Sequence, residues 1–494
     1  MKYSIKIFML AVLVTVSYGC NDLLNNPQPS QSLPPEQAVS TPSAINAVRA
    51  SMYDRLHAFG YATSYFLGPS ALADDLVNRT GATRFAGLVR NDQNSGMSTY
   101  NLAYDLINDA NLLINNIPEG VLDDATLAQY RGEALMMRAF AMHHLTRAIG
   151  YEPGMTPATG PGAGFELGIV IRTMPTLDAS DASFRPRKTV GVVYDRIIAD
   201  LEDSISLLSS GDAGTPTFIT QAASQALMAR VQLYAQNYDQ ANNYAADALS
   251  NTSARLAQPG EVATMFDETT GLNPEAIFVI TTDPNTESLG INNSLTVYTA
   301  QQYVALIPTQ DLMDMYDSGD ARLALYNPCF DETDGSFETG CFATHPDIPL
   351  PAGATGLEIS KWAGELGQQA DNYPFFRVSE MLLIQAEARL TTGGDVAAPL
   401  NQLRTARNLG MVSGVTLEDV LDEKRREFAA EGQRFFDLKR LGRTIRKAPE
   451  TLNTVINNVP YTDYKVIDNI SYNEVALSED NAPADSVLIQ NPVY

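Results

Sequence analysis

The densest group of charged side chains lies between Thr416 and Gly442, in the stretch TLEDVLDEKRREFAAEGQRFFDLKRLG. Arginines this close together could form a clamp for an anion. Acids and bases alternate throughout the stretch, however, so they can instead form hydrogen-bonded ion pairs that lock two helices together. We favour this second interpretation. The predicted structural ion pairs involve Glu423, Arg426, Glu427, Glu431, Arg434 and Asp437.

Two short helices are predicted to carry these charges. Thr416 and Asp419 form a capping-box-like start for the first helix, and Gly432 is a stop signal after it. Apolar residues at helical spacing continue beyond Gly432, and Gly442 ends the second helix. The charged side chains are therefore expected to project from rigid elements.

Motifs for catalysis are missing from the sequence. There is no Gly-x-Ser-x-Gly elbow, no His-Glu-x-x-His and no Walker A loop. His143 and His144 are adjacent in a predicted helix, where consecutive side chains diverge by about 100°, so packing is favoured over metal binding. Adjacent acids such as Asp74 and Asp75 could serve a glycosidase only at a defined separation in a cleft. We predict that the protein is not an enzyme.

The charge balance excludes further classes. The chain has 33 basic and 58 acidic residues and a formal net charge of −25, a field that repels phosphate backbones. Four histidines and three cysteines are too few and too scattered for a zinc or iron–sulfur site. We therefore expect no nucleic-acid partner, no metal and no cofactor.

The N-terminus is typical of an export signal. A positively charged start precedes a short apolar run, and small or weakly polar residues then lead to Cys20. Residues 1–19 are the predicted signal peptide. Cys20 is the predicted lipidation site, as in a bacterial lipobox, although a plain secretory signal is the alternative. Residues 20–38, rich in Asn, Pro, Gln and Ser, read as a lipid-anchored tether.

Two further cysteines are predicted to form a disulfide. Export leaves Cys329 and Cys341 as an even pair in an oxidising compartment. They bracket an acidic loop, 331–338, that could hold Ca²⁺ but lacks the alternating Asp/Asn spacing of a calcium loop. A solvated acidic loop is the favoured interpretation.

The remaining chain, 39–494, is predicted to be one body. Helical periodicity marks a scaffold over about 40–150, 190–250 and 376–445, and small residues at helix crossings resemble the tetratricopeptide pattern. The stretch from about 255 to 375 is an irregular insertion with strand candidates. The predicted fold class is mainly α: a tetratricopeptide-like helical-repeat scaffold with an irregular, loop-rich half carrying a few short strands.

The charged stretch also resembles a known family. EKRREFAAEGQRFFDLKRLG is similar to the C-terminal signature of the SusD/RagB family of nutrient-binding outer-membrane lipoproteins. Glu133–Phe140, Arg377–Ala388 and Gln490–Tyr494 agree in order. Three departures are Tyr100, where the family often has Trp, Gln433, where His is common, and Val493, where Gly is common.

The resemblance implies a helical fold with four tetratricopeptide-like units opposite an irregular ligand-binding half. It implies no catalysis. It also implies an outer-membrane location through the lipid anchor, facing the cell exterior, and a SusC-like TonB-dependent transporter as partner.

Ligand contacts must be argued from side-chain chemistry, because the family signature is scaffold. A sugar ring packs a C–H face on an aromatic ring, and its hydroxyl pairs suit amide and guanidinium groups. With one Trp against 22 Tyr, the platform is expected to be Tyr. The predicted ligand-binding residues are Asn78, Arg84, Tyr100, Asn101, Tyr298, Gln302 and Tyr303.

The predicted function is non-catalytic cell-surface binding of an oligosaccharide and its delivery to the transporter. One alternative is a peptide-binding lid of a peptide importer, because tetratricopeptide-like grooves often hold peptides. The other is a glycoside hydrolase that uses paired carboxylates.

Overall fold

The structure is a computed structural model that describes most of the chain from residue 35 onward. The described residues are 35–57, 62–91, 97, 99–178, 181–209, 215–300, 303–328, 353–362, 364, 369–447, 450–451, 454–455 and 458–494. Several predictions fall on other residues and stay predictions. They concern the signal peptide 1–19, Cys20, the first part of the tether, Gln302, and the cysteines Cys329 and Cys341 with the acidic loop 331–338 between them.

Helices carry most of the regular structure. The α-helices are α1 Pro35–Ala38, α2 Pro42–Asp54, α3 Gly68–Leu72, α4 Ala86–Val89, α5 Tyr100–Asn115, α6 Asp124–Ile149, α7 Val190–Leu207, α8 Gln221–Tyr234, α9 Tyr238–Asn251, α10 Thr296–Thr299, α11 Gln310–Met313, α12 Val378–Thr392, α13 Ala397–Ala406, α14 Leu417–Glu427, α15 Gln433–Arg440 and α16 Tyr472–Asn481. A π-helical segment, Thr63–Leu67, leads into α3, and a 3₁₀ turn, Ala321–Leu325, follows α11.

The long helices pack in chain order. Helix α6 packs against α5 and α7, α8 packs against α9, and α9 packs against α12, which in turn contacts α13. Small side chains make the α8–α9 contact possible, since Ala226, Ala229, Ala241 and Ala245 are fully buried. Residues without a bulky side chain let neighbouring helix axes approach closely, as the tetratricopeptide-like pattern predicts.

The predicted capping box at the start of α14 is confirmed. The Asp419 N–H donates to Thr416 Oγ1 at 3.3 Å, and the Thr416 N–H donates to the Asp419 carboxylate at 2.8 Å. Two N–H groups that the helix cannot satisfy internally thus gain partners. This fixes where the first charged helix begins.

Short strands pair in twos. The strands are β1 Leu76–Asn78, β2 Ala276–Ile280, β3 Leu306–Pro308, β4 Tyr326–Pro328, β5 Leu357–Ile359, β6 Tyr373–Arg377, β7 Glu450–Thr451 and β8 Thr454–Val455. The antiparallel pairs are β1–β3, β2–β6, β4–β5 and β7–β8. The β1–β3 pair joins segments more than two hundred residues apart in the chain and brings Asn78 opposite Leu306.

The predicted fold class is confirmed: helices dominate and the strands are few and short. The hydrophobic core runs through the helices and includes β2 and β6, every residue of which is buried. In the described part of the chain, no helix combines the length and apolar character needed to cross a membrane.

Candidate ligand-binding site

Two tyrosines stack where the chain leaves α10. The rings of Tyr298 and Tyr303 have centroids 6.2 Å apart and planes inclined by 22°. Tyr303 is 44 % exposed, whereas Tyr298 is only 2 % exposed. The outer ring is therefore the surface that a ligand can reach, and the inner ring supports it. This corrects the prediction that Tyr298 is itself an accessible platform.

Backbone hydrogen bonds fix the position of the exposed tyrosine. The N–H groups of Tyr303 and Val304 both donate to the Val297 carbonyl, at 2.8 and 3.2 Å. The Arg79 guanidinium donates to the carbonyls of Tyr303 and Val304, at 3.1 and 3.2 Å. The segment is thus attached both to α10 and to the residue that follows β1.

Arg84 lies over the inner ring of the stack. Its guanidinium carbon is 5.2 Å from the Tyr298 ring centroid, within the range of a cation–π contact. Phe85 packs edge-on against the same ring at 5.1 Å and adopts a left-handed backbone conformation, with φ of 62°. Arg84 itself is exposed. Burial raises the pKa of the Tyr298 hydroxyl, and the nearby Arg84 charge opposes that shift.

Asn78 holds the backbone of Arg84 and of Ala305 in place from a buried position. It is 1 % exposed, and its amide donates to the Arg84 carbonyl at 2.6 Å and to the Ala305 carbonyl at 3.2 Å. A side chain buried in this way holds the loop and strand together and does not face a ligand. The prediction of Asn78 as a ligand contact is therefore corrected to a positioning role.

Tyr100 and Asn101 lie in a different place. They begin α5 and line a separate cleft of about 570 Å³ between α5, residues 170–176 and 182–185, and α16. The Tyr100 ring packs on Tyr104 with centroids 4.8 Å apart, and the Tyr104 hydroxyl donates to the Val170 carbonyl at 2.8 Å. Burial raises the pKa of Tyr100. The structure thus divides the predicted ligand set between two surfaces.

The charged helices α14 and α15 face a buried network. Glu427, 1 % exposed, accepts hydrogen bonds from Arg322 at 3.1 Å, from Arg377 at 2.9 Å and from Arg407 at 2.7 and 2.9 Å. These surrounding cations hold the pKa of Glu427 well below its usual value despite burial, which acts to raise it. Glu431 accepts from Arg377 at 2.7 Å and from Lys361 at 2.7 Å.

The other four residues of the predicted ion-pair set also meet opposite charges. Glu423 pairs with Arg426 at 2.7 Å and with Arg404 at 3.0 Å. Arg434 donates two hydrogen bonds of 2.9 Å to Asp74. Asp437 accepts from Arg440 at 2.7 Å within α15 and lies 3.5 Å from Lys424 of α14.

The expected lock between the two helices needs correction. In the described residues, the Lys424–Asp437 contact is the one ion pair that joins α14 to α15, and most partners come from other parts of the chain. Arg322, Arg377 and Arg407 lie outside the charged stretch, 105, 50 and 20 residues from Glu427, so the pattern within that stretch does not reveal them. The one available signal was an Arg directly after the apolar strand residues Tyr373–Phe376.

The two predicted packing histidines are buried in α6. The His143 ring makes edge contacts with Tyr194 at 5.8 Å and Tyr234 at 5.4 Å. Burial lowers the pKa of His143 well below its usual value and lowers that of His144 to about 3, and the Arg147 charge acts in the same direction on both. In the portion of the chain that the structure describes, no three His, Cys, Asp or Glu side chains converge as metal ligands would.

Fold and surface together define a class: a helical-repeat protein whose loop-rich side presents an aromatic surface. Comparison with known proteins is consistent with this. Residues 24–233 match a family model described as starch-binding and associating with the outer membrane, and residues 355–489 match the model of the SusD family. The chain belongs to the SusD/RagB family. Proteins of this family bind oligosaccharides and work with outer-membrane systems.

Individual relatives extend over nearly the whole chain. SusD-like protein P38 of Formosa agariphila is 26 % identical over 490 residues, covering 89 % of this chain and 91 % of the relative. A SusD superfamily structure from Bacteroides thetaiotaomicron has a TM-score of 0.77 at 23 % identity, covering 92 % of this chain and 100 % of that one. A laminarin-binding SusD-like protein has a TM-score of 0.68 at 18 % identity, covering 92 % and 100 %. The structural matches establish the fold.

Proposed function

We propose that this protein captures a glycan at the cell surface without chemical reaction and delivers it to a SusC-like TonB-dependent outer-membrane transporter. The observation that carries the proposal is the exposed Tyr303 ring stacked on the buried Tyr298 ring. An aromatic face with this support packs well against the C–H face of a sugar ring. The starch-binding description of the family and the laminarin-binding neighbour support a sugar ligand.

Polar contacts would come from the residues beside the stack. Arg84 is exposed and has five N–H donors, which suit the oxygen atoms of neighbouring sugar hydroxyls. Gln302 directly precedes Tyr303 in the chain and stays in the proposed ligand set. Asn78 and Tyr298 would contribute indirectly, because they hold Arg84 and Tyr303 in place.

The same surface favours a sugar over a peptide ligand. Peptides that bind by strand addition need an extended groove beside an open strand edge. The Tyr303 surface instead offers a flat ring with a guanidinium beside it, which is the pattern of a sugar subsite.

Isothermal titration against starch-type and laminarin-type oligosaccharides tests the function. We expect micromolar or weaker binding to one glycan class, and chromatography of the mixture should recover the ligand intact. Release of a cleavage product that depends on one Asp or Glu would contradict non-catalytic capture. Binding of oligopeptides but of no glycan would favour the peptide-importer alternative.

The proposed membrane anchor is tested separately. Replacing Cys20 by Ala should move the protein from the membrane fraction to the soluble fraction, because the acyl chains would have no attachment point. Cys329→Ala is the matched control and should stay with the membrane. Unchanged fractionation of the Cys20→Ala protein would contradict lipid anchoring.

The proposed transporter partner should co-purify with the wild-type protein from detergent-solubilised outer membranes, and its absence would contradict the delivery step.

A further inference from the structure

The cleft that contains Tyr100 has the size and lining of a ligand site in its own right. Its volume of about 570 Å³ lies within the range of small-molecule pockets. Tyr100 contributes an aromatic ring to one wall. Leu477 of α16 and Phe184 contribute apolar side chains that are 54 % and 37 % exposed. Apolar groups that stay exposed around a cavity are available to contact a ligand.

Two arginines in this cleft have no carboxylate partner among the residues that the structure describes. Arg172 donates to the Ser183 carbonyl, and Arg185 Nε donates to Ser183 Oγ at 3.3 Å. Each guanidinium therefore keeps several N–H donors for another acceptor. Arg55, which lines the same cleft, is by contrast paired with Asp109 at 2.6 Å.

The free guanidinium donors at this cleft contrast with the arginines around α14. Acidic residues outnumber basic ones, 58 to 33, and the arginines around α14 are all engaged by carboxylates or carbonyl groups. On the cleft wall formed by α16, Glu474 has no hydrogen-bond donor among the described side chains. Asp105 also lines the cleft, with its side chain 56 % exposed and 3.3 Å from Arg55. The cleft thus offers free guanidinium donors together with carboxylate acceptors.

We infer that this cleft is a second ligand site, which binds a sugar residue that carries a carboxylate group. A planar guanidinium pairs with a carboxylate through two parallel hydrogen bonds, and Arg172 and Arg185 are placed to do so. Glu474 can accept a hydrogen bond from a sugar hydroxyl, and Tyr100 can pack against the ring. The inference rests on the cleft alone and does not require the Tyr303 surface to bind a glycan.

Titration of the Tyr303→Ala protein with glucuronate, glucose and glucose 6-sulfate tests the inference. This variant removes the exposed ring of the Tyr298–Tyr303 stack, so any remaining binding occurs at another site. We expect glucuronate to bind and to weaken as sodium chloride is added, because salt screens the ionic contact. Glucose should bind at least about tenfold more weakly, since it lacks the charged acceptor. Tighter binding of glucose 6-sulfate would overturn the assignment to a carboxylate.

Arginine variants locate the site. Arg185→Ala, added to Tyr303→Ala, should weaken glucuronate binding at least about tenfold, and Arg172→Lys should also weaken it because lysine lacks the planar fork. Arg446→Ala is the control, since it removes an exposed arginine outside the cleft, and it should bind normally. Equal melting temperatures would show that all variants are folded. Absence of glucuronate binding, or binding unchanged by Arg185→Ala, would overturn the inference.

Discussion

The guanidinium group of Arg407 donates two hydrogen bonds to the carboxylate of Glu427, and both side chains are excluded from solvent. A buried ion pair is stable only when the remaining donors and acceptors are also satisfied. Here Arg322 and Arg377 also donate to the same carboxylate, and Glu275 accepts a further hydrogen bond from Arg407 at 2.6 Å. The network therefore joins α14 to the residue after α13, the 3₁₀ turn and β6.

Replacing Glu427 by Gln should strongly destabilise the fold. The amide has nearly the same shape but no charge, so three buried arginines would lose a shared counter-ion. We expect a loss of about 3–5 kcal/mol in the free energy of unfolding, measured by urea denaturation. Glu418→Gln is the control: its pair with Arg443 is exposed, and the expected loss is about 0–1 kcal/mol. Similar losses in both variants would contradict a bracing role.

The buried histidines should make the fold sensitive to mild acid. In the unfolded chain His143 takes up a proton near pH 6.5, whereas burial keeps it neutral in the folded protein. At this residue the unfolded state then binds more protons, so the contribution of His143 to stability falls as pH drops below about 6.5. His144 acts in the same direction.

We expect His143 to account for about 2 kcal/mol of stability lost between pH 7 and pH 5. In His143→Phe, urea denaturation at several pH values should show a shallower decline over this range, because one of the two protonations has been removed. The other titrating groups are present in both proteins, so the difference between the two slopes reports on His143. A decline as steep as that of the wild-type protein would contradict a contribution of His143 to the acid sensitivity.

Val493 should be a point of local strain near the C-terminus. Its φ is 75°, a left-handed conformation that disfavours a β-branched side chain. Val493→Gly should therefore raise the free energy of unfolding by about 1 kcal/mol, as measured by urea denaturation. Val192→Gly is the matched control, because Val192 is also exposed but lies within α7, where Gly should cost about 1 kcal/mol. A loss of stability in Val493→Gly would contradict the strain.

Local patterns in the sequence were sufficient to predict the scaffold. Two examples are the capping box at Thr416 and the small residues of α8 and α9. Both depend on neighbours a few positions away, so they can be recognised from the sequence alone. The partners of Glu427 are different. Arg322 and Arg377 lie 105 and 50 residues from it, and only the folded chain brings them together.

The residue types of the candidate site could be predicted from the sequence, but their positions relative to one another could not. Arg84 and Tyr298 meet because β1 pairs with β3, and strands of three residues carry too little pattern to reveal their register. Tyr100 follows Arg84 closely in the chain, yet α5 places it in another cleft. The burial of Asn78 could not be predicted either, since one of its two partners is the Ala305 carbonyl, 227 residues away in the chain.

We propose that the exposed Tyr303 ring makes the main contact with the glycan, and titration of one variant tests this directly. For the glycan that the wild-type protein binds, Tyr303→Ala should weaken affinity at least about tenfold, because an anchoring aromatic contact is removed. Tyr472→Ala, which removes another exposed tyrosine from α16, should bind like the wild type. Unchanged affinity in Tyr303→Ala, with the protein folded, would contradict the claim.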